Sequence, residues 1–290
     1  MTDDIYDKLH QAWPDLELSV CVHGRQAARV PANRQMDIRL LSSPLLVKLQ
    51  YTVYSQGYRA NQKVRSEWPK FIQAVVAGNS VRFLQIQTEE DGNESEYRGV
   101  QIIGPSEPKH LARPEILPNI RLSQLEELSI TAPHYWGGST YLWDTDHCSL
   151  LRDALDLSRL RTLDFGNDSP NALFTAFRGL IPNLEAIRFG VVGSVEAARQ
   201  LIESASALKS LDIARILPVM DTLWPAIQKH KGSLTTLVLR PTIGSYCSPC
   251  HMDFGLLEKI ASFPALQRLG WDIPCNTNVH NTTFLCMSFF

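Results

Sequence analysis

The stretch CSPCH places Cys247, Cys250 and His251 in the order C-x-x-C-H. Two thiols at that spacing, with a histidine beside the second, are the attachment pattern of a c-type haem: the thiols add to the vinyl groups and the imidazole ligates iron. The same three side chains offer three ligands to a zinc ion, with Cys148 or His147 as a fourth from another loop. Haem attachment requires export, and the opening MTDDIYDKLHQAWPDLELSV is acidic and lacks the roughly 7 to 15 apolar residues of a secretory signal. A structural zinc draws on two local ligand pairs, whereas His147 and Cys148 are adjacent. The plain expectation is unligated loop thiols and no cofactor, with zinc at Cys247, Cys250 and His251 as the alternative.

Other chemistry is weaker still. No phosphate-cradling glycine loop, G-x-S-x-G elbow or H-E-x-x-H pair occurs. His134, Asp144, Asp146 and His147 share the segment APHYWGGSTYLWDTDHC, and a histidine near carboxylates can act as a base. No nucleophile is marked beside them, and aromatics and glycines packed so closely serve better to anchor a loop on a core. Tyr51, Tyr54 and Tyr58 in YTVYSQGY pose the same choice between a recognition patch and anchoring, and anchoring is the simpler reading. A non-catalytic protein is therefore expected.

The totals narrow the partners. The chain has 290 residues, 44% hydrophobic and 20% charged, enough for a substantial core. Lys plus Arg number 28 against 30 for Asp plus Glu, and a net charge of −2 gives no electrostatic reason for nucleic acid or an anionic membrane. No stretch approaches the ~18 continuous apolar residues of a membrane span. The expectation is an intracellular protein of the cytoplasm or nucleus, with its six cysteines reduced.

What must position any site is a repeated phrase. L-x-x-L-x-(apolar), allowing branched or aromatic ends, recurs as LVKLQY from Leu46, VRFLQI from Val81, LEELSI from Leu125 and LRTLDF from Leu160. It continues as LEAIRF from Leu184, LKSLDI from Leu208, LTTLVL from Leu234 and LQRLGW from Leu266, with WPDLEL at Trp13 as a degenerate copy. The middle copies are 24 to 26 residues apart, inside the period of leucine-rich repeats. Between copies the apolar spacing turns helical. Leu173, Phe174, Phe177, Leu180 and Ile181 share one face after Asp168, Ser169 and Pro170, and Val195, Ala198, Leu201, Ile202 and Ala205 share another after Ser194. Asp253 is placed to cap the helix in FGLLEKIASF, and residues 3–13 read as a short helix ahead of the strand LELSVCV.

One such unit buries too little apolar surface to offset the entropy of ordering it, so the units must stack. The predicted fold is an α/β leucine-rich-repeat solenoid over residues 1–274, with a curved parallel sheet inside and helices outside. Residues 88–97 and the proline-rich GPSEPKHLARPEILP form loop insertions, and 275–290 are an irregular tail. Side chains alternate across a strand. If Leu163 and Phe165 point inward, Asp164, Arg188, Asp212, Arg240 and Arg268 stand on the concave face. A row of mixed sign suits a protein partner better than a phosphate backbone.

Longer phrases carry a resemblance. LLSSPLLVKLQYTVY, SEWP, YWGGSTYLWDTDHC, LRTLDFG, LWPAIQKHKGSLTTLVLRPTIGSYCSP and LQRLGWDIP resemble a large group of fungal F-box proteins with irregular leucine-rich repeats, over roughly residues 3–274. In that family an N-terminal helical F-box docks the chain on the adaptor of a cullin-type ubiquitin ligase, and the repeats select the protein to be ubiquitinated. Other subunits transfer ubiquitin, so the resemblance implies no catalytic residues. No LPxEI-like helical module precedes the first repeat-like helix. The expectation is a truncated gene model or a repeat-only relative, docking on the adaptor only if an F-box lies upstream. The tail NTNVHNTTFLCMSFF is expected to leave the last rung uncapped, as a translated intron or premature stop would.

Overall fold

The structure, a computed structural model, describes residues 8, 11–13, 15–23, 38–55, 72–90, 121–131, 145–191, 195–214, 216, 220–240, 254–273 and 283–288. It divides into two compact units, Met1–Asp156 and Leu157–Phe290. Each is α/β, with helices between strands that run parallel to their chain neighbours, the last strand of the second unit excepted.

In the first unit β1 (Leu18–His23), β2 (Leu46–Ser55), β3 (Phe83–Glu90) and β4 (Glu127–Thr131) pair in chain order. The register sets Leu49, Leu84 and Leu128 side by side, with Tyr51, Ile86 and Ile130 two residues on, and all six are buried. This is the period-2 alternation that the phrases encode: alternate residues line the core and those between face away. Tyr51 is thus a core residue of β2 and not a recognition group. The connections contain α1 (Ile38–Leu41) and a helix over residues 72–78, with α2 (Thr145–Ala154) following β4. The 72–78 helix ends at Asn79, whose φ of 45° is a left-handed conformation that asparagine tolerates. The Asn79 N–H donates to Val75 O at 3.1 Å, and its Oδ1 accepts from Ser123 Oγ at 2.8 Å.

In the second unit β5 (Thr162–Asp164), β6 (Ala186–Gly190), β7 (Ser210–Ala214), β8 (Thr236–Arg240) and β9 (Arg268–Ile273) again pair in chain order. Leu163, Ile187, Leu211, Leu237 and Leu269 form one buried row, and Phe189, Ile213 and Leu239 form the next. Between the strands run α3 (Asn171–Phe177), α4 (Glu196–Ser204), α5 (Met220–Lys229) and α6 (Phe254–Ala261). Phe174 on α3 lies edge-on to Phe165 and Phe189, with ring centroids at 5.7 and 5.2 Å, so α3 covers the apolar face of the sheet. In turn α3 packs on α4, and α4 on α5.

Polar side chains tie each turn to the one before it. Asn183 Nδ2 donates to Ser158 O at 2.6 Å, Ser206 Oγ to Pro182 O at 2.7 Å and Ser233 Oγ to Leu208 O at 2.8 Å. Each bond gives a backbone carbonyl of the preceding turn a side-chain donor.

Several expectations change. Leu180, expected inward, is 47% exposed, because Gly179 takes a φ of +73° and turns the chain out after Phe177. Trp13, at the end of the expected N-terminal helix 3–13, is 59% exposed. The α3 helix begins after Pro170 with no side-chain cap, while Asp168 is buried. Ser194 and Asp253 lie outside the described residues, as do the interiors of both loop insertions. The tail 275–290 contains a strand, β10 (Thr283–Ser288), antiparallel to β9 from Thr283↔Ile273 to Ser288↔Arg268. The physical reason is that the open edge of β9 offers unpaired N–H and C=O groups that a returning segment satisfies. Its four consecutive apolar residues, FLCM, hide the strand from a search for alternation.

Candidate functional site

The residues on the outer face of the second unit's sheet follow from its register. The strand starts Thr162, Ala186, Ser210, Thr236 and Arg268 are aligned, and two residues on stand Asp164, Arg188, Asp212, Val238 and Gly270. Three successive strands therefore put a minus, a plus and a minus charge side by side, one strand spacing apart, roughly 4.8 Å.

They interact. Arg188 Nε lies 3.9 Å from Asp164 Oδ1 and 3.4 Å from Asp212 Oδ2, and Arg240 Nη2 donates to Asp212 Oδ2 at 2.7 Å. Arg240 is aligned with Ala214, two residues beyond Asp212, so it reaches back diagonally to close a four-charge ladder. Asp164 has a second task, since its Oδ1 accepts the N–H of Gly166 at 2.8 Å and holds the turn after β5. Of the five residues expected on this face, Asp164, Arg188, Asp212 and Arg240 are brought together. Arg268 is exposed at the strand-start row beside Thr236, away from the ladder.

The centre of the ladder is strained electrostatically. Burial pushes the Asp212 carboxyl above its ordinary 3.8, and the attraction of Arg240 and Arg188 does not reverse this. Arg188 Nε and Asp212 Oδ1 are shielded from water and have no hydrogen-bond partner among the described residues. Buried polar atoms left without partners cost stability.

A second ladder was not anticipated from the sequence. One residue before each strand start, Glu185 accepts from Arg161 Nη1 at 3.2 Å and pairs with Lys209 Nζ at 2.9 Å. The hydrogen bond from Lys209 holds the Glu185 carboxyl below its usual range. The signal was available: Arg161, Glu185 and Lys209 occupy the same position of three phrases spaced by 24 residues, with alternating sign. The two ladders flank a row of small residues, Thr162, Ala186 and Ser210. On the first unit the matching face is uncharged in the middle, with Gln50, Gln85 and Ser129 aligned and Gln50 Nε2 donating to Gln87 Oε1 at 3.3 Å.

The metal-ligand candidates Cys247, Cys250 and His251 lie outside the described residues, as do His134 and Asp144 and the side chain of His147. Cys148, the suggested fourth ligand, is fully buried on helix α2 rather than on a loop. Among the described residues no group of three or more His, Cys, Asp and Glu side chains is placed to hold a metal ion, and no helix is long and apolar enough to cross a membrane. No family model matches the chain, and no curated protein matches it.

Proposed function

We propose that the chain is a leucine-rich-repeat solenoid that recognises a protein partner through the ladder Asp164, Arg188, Asp212 and Arg240, and that it performs no catalysis. The observation that carries this reading is the register: successive L-x-x-L phrases place alternating charges in one row on the face away from the core. Repeat proteins use this face for binding because each repeat contributes one row of freely variable side chains over an invariant core. Support for the repeat class comes also from Asp168, buried three residues after Phe165, where leucine-rich repeats carry Asn or Cys. The phrases cited above make a relative of the substrate-recognition part of F-box ubiquitin-ligase receptors the preferred biological setting. Binding to the ligase adaptor is expected only from a chain carrying an F-box ahead of these repeats.

Affinity capture followed by quantitative mass spectrometry tests the reading. Arg188→Glu sets a third negative charge between Asp164 and Asp212 and is expected to lower recovery of the specific partner about tenfold, equivalent to about 1.4 kcal/mol. Asp212→Asn separates recognition from folding. A carboxyl raised above its ordinary value contributes stability fully below that value and loses it as the pH rises through the folded-state value, so above that value a neutral group at this position forgoes nothing. The asparagine variant is therefore expected to keep or slightly raise the urea midpoint at pH 7 while losing the partner. Unchanged recovery for both variants, with Arg199→Glu on α4 as the control, would discard this face.

A further inference from the structure

His230 stands at the end of α5 with 2% of its surface exposed, and both of its ring nitrogens are engaged. The N–H of Leu208 points at Nδ1 at 3.3 Å, and Nε2 lies 2.8 Å from Ile202 O in the last turns of α4. A backbone N–H can only donate, so Nδ1 must be the bare acceptor and the proton sits on Nε2, donating to Ile202 O. One neutral tautomer satisfies both contacts. The ring thus latches the last turn of α4 to the residue that leads into β7, and Ser233 Oγ holds the carbonyl of the same Leu208 at 2.8 Å.

A second proton breaks this arrangement. It must enter at Nδ1, where it meets the Leu208 N–H head on, and it places a charge in a buried site. The charged neighbours give little help. Lys229 on α5 acts on the ring with the same sign as an imidazolium, and its Nζ donates to Glu203 O. Lys231 follows the ring in its own turn. On α4, Glu203 is paired with Arg199, and at the head of β7 Lys209 is paired with Glu185. The carbonyl of Ile202 favours a charged ring, but it is already bonded by the neutral form, and burial outweighs it.

We propose that His230 is an acid-sensitive latch: protonation frees the Leu208 N–H and loosens the junction of α4 with β7, the strand that carries Asp212. This inference stands on the latch geometry and not on the protein-recognition reading. Because the folded-state pKa lies below the ordinary 6.5, the latch contributes stability fully above that pH. The contribution is lost as the pH falls from 6.5 towards the folded-state value, since the unfolded chain takes up the proton first.

NMR of the full chain reads this directly. The His230 ring is expected to titrate below 6.5, and the opening constant of the Leu208 amide, corrected for intrinsic exchange, to rise about tenfold for each unit by which the pH falls within that window, the limit for one linked proton. In urea unfolding between pH 7.5 and 5, His230→Gln, which keeps a donor and an acceptor but does not titrate, is expected to show a flatter pH dependence than the parent. If the variant fails to fold, the ring titration and the Leu208 exchange of the parent decide alone. A His230 ring titrating at 6.5 or above, or Leu208 opening independent of pH, would overturn the latch.

Discussion

Phe174→Ala is expected to destabilise the second unit by about 3–5 kcal/mol, the cost of removing a fully buried phenyl from a site that cannot collapse around the gap. Phe174 is the middle ring of three. Its edge-to-face contacts with Phe165 at 5.7 Å and Phe189 at 5.2 Å join α3 to the residue that follows β5 and to β6. Both neighbours are themselves fully buried, so truncation leaves two aromatic surfaces facing a void. Against a typical domain stability of about 5–15 kcal/mol, the variant should sit near its unfolding threshold at 37 °C. Urea unfolding followed by tryptophan fluorescence measures the loss. A cost below about 1 kcal/mol would mean that α3 does not pack on β6 as described.

Gly190→Ala is expected to cost about 3 kcal/mol or more, although it adds a single methyl group. A Cβ at Gly190 would lie 1.9 Å from Asn167 O and 2.5 Å from Asn167 C, both backbone atoms that no rotamer change can move. The approach is enforced by a hydrogen bond, since the Gly190 N–H donates to Asp168 O at 2.8 Å. Two changes calibrate the result. Gly166→Ala meets the left-handed penalty of a φ of 60°, about 1–2 kcal/mol. At Gly232 an added Cβ meets nothing within 4 Å, and alanine there should be neutral or slightly stabilising through the unfolded chain. Thermal unfolding of the three variants should rank Gly190 well below Gly166, and Gly166 below Gly232. Equal midpoints for the first two would show that the Asn167 turn yields.

These glycines mark where reading the sequence stops. LRTLDFG and LEAIRFG end on the same letter 24 residues apart, and a repeat search treats the two as equivalent. The first is there for its backbone conformation and the second for the space it leaves. The helix after LDFG shows the same limit. Its periodicity placed Leu173, Phe174 and Phe177 in the core, but not the outward turn at Gly179 that exposes Leu180.

The candidate site divides in a similar way. Asp164, Arg188 and Asp212 were legible as one row because alternation is local and all three sit at the same place in their phrases. The diagonal reach of Arg240, the exclusion of Arg268 and the raised carboxyl of Asp212 depend on side-chain length and burial, which spacing does not encode. His230 drew no notice in LWPAIQKHKGSL, since nothing in the chain order relates it to Ile202 and Leu208, 28 and 22 residues away.

The amino-acid order by itself determined where the repeated phrases become strands, which of their residues turn inward and that Asp164, Arg188 and Asp212 share a row, because each of these follows from the local period of a strand. Tertiary structure alone decided which charges touch, which glycine is irreplaceable, how the imidazole of His230 is protonated, and that 283–288 returns to cover β9. Those outcomes are set by distances between segments remote in the chain, and a local period carries no information about them.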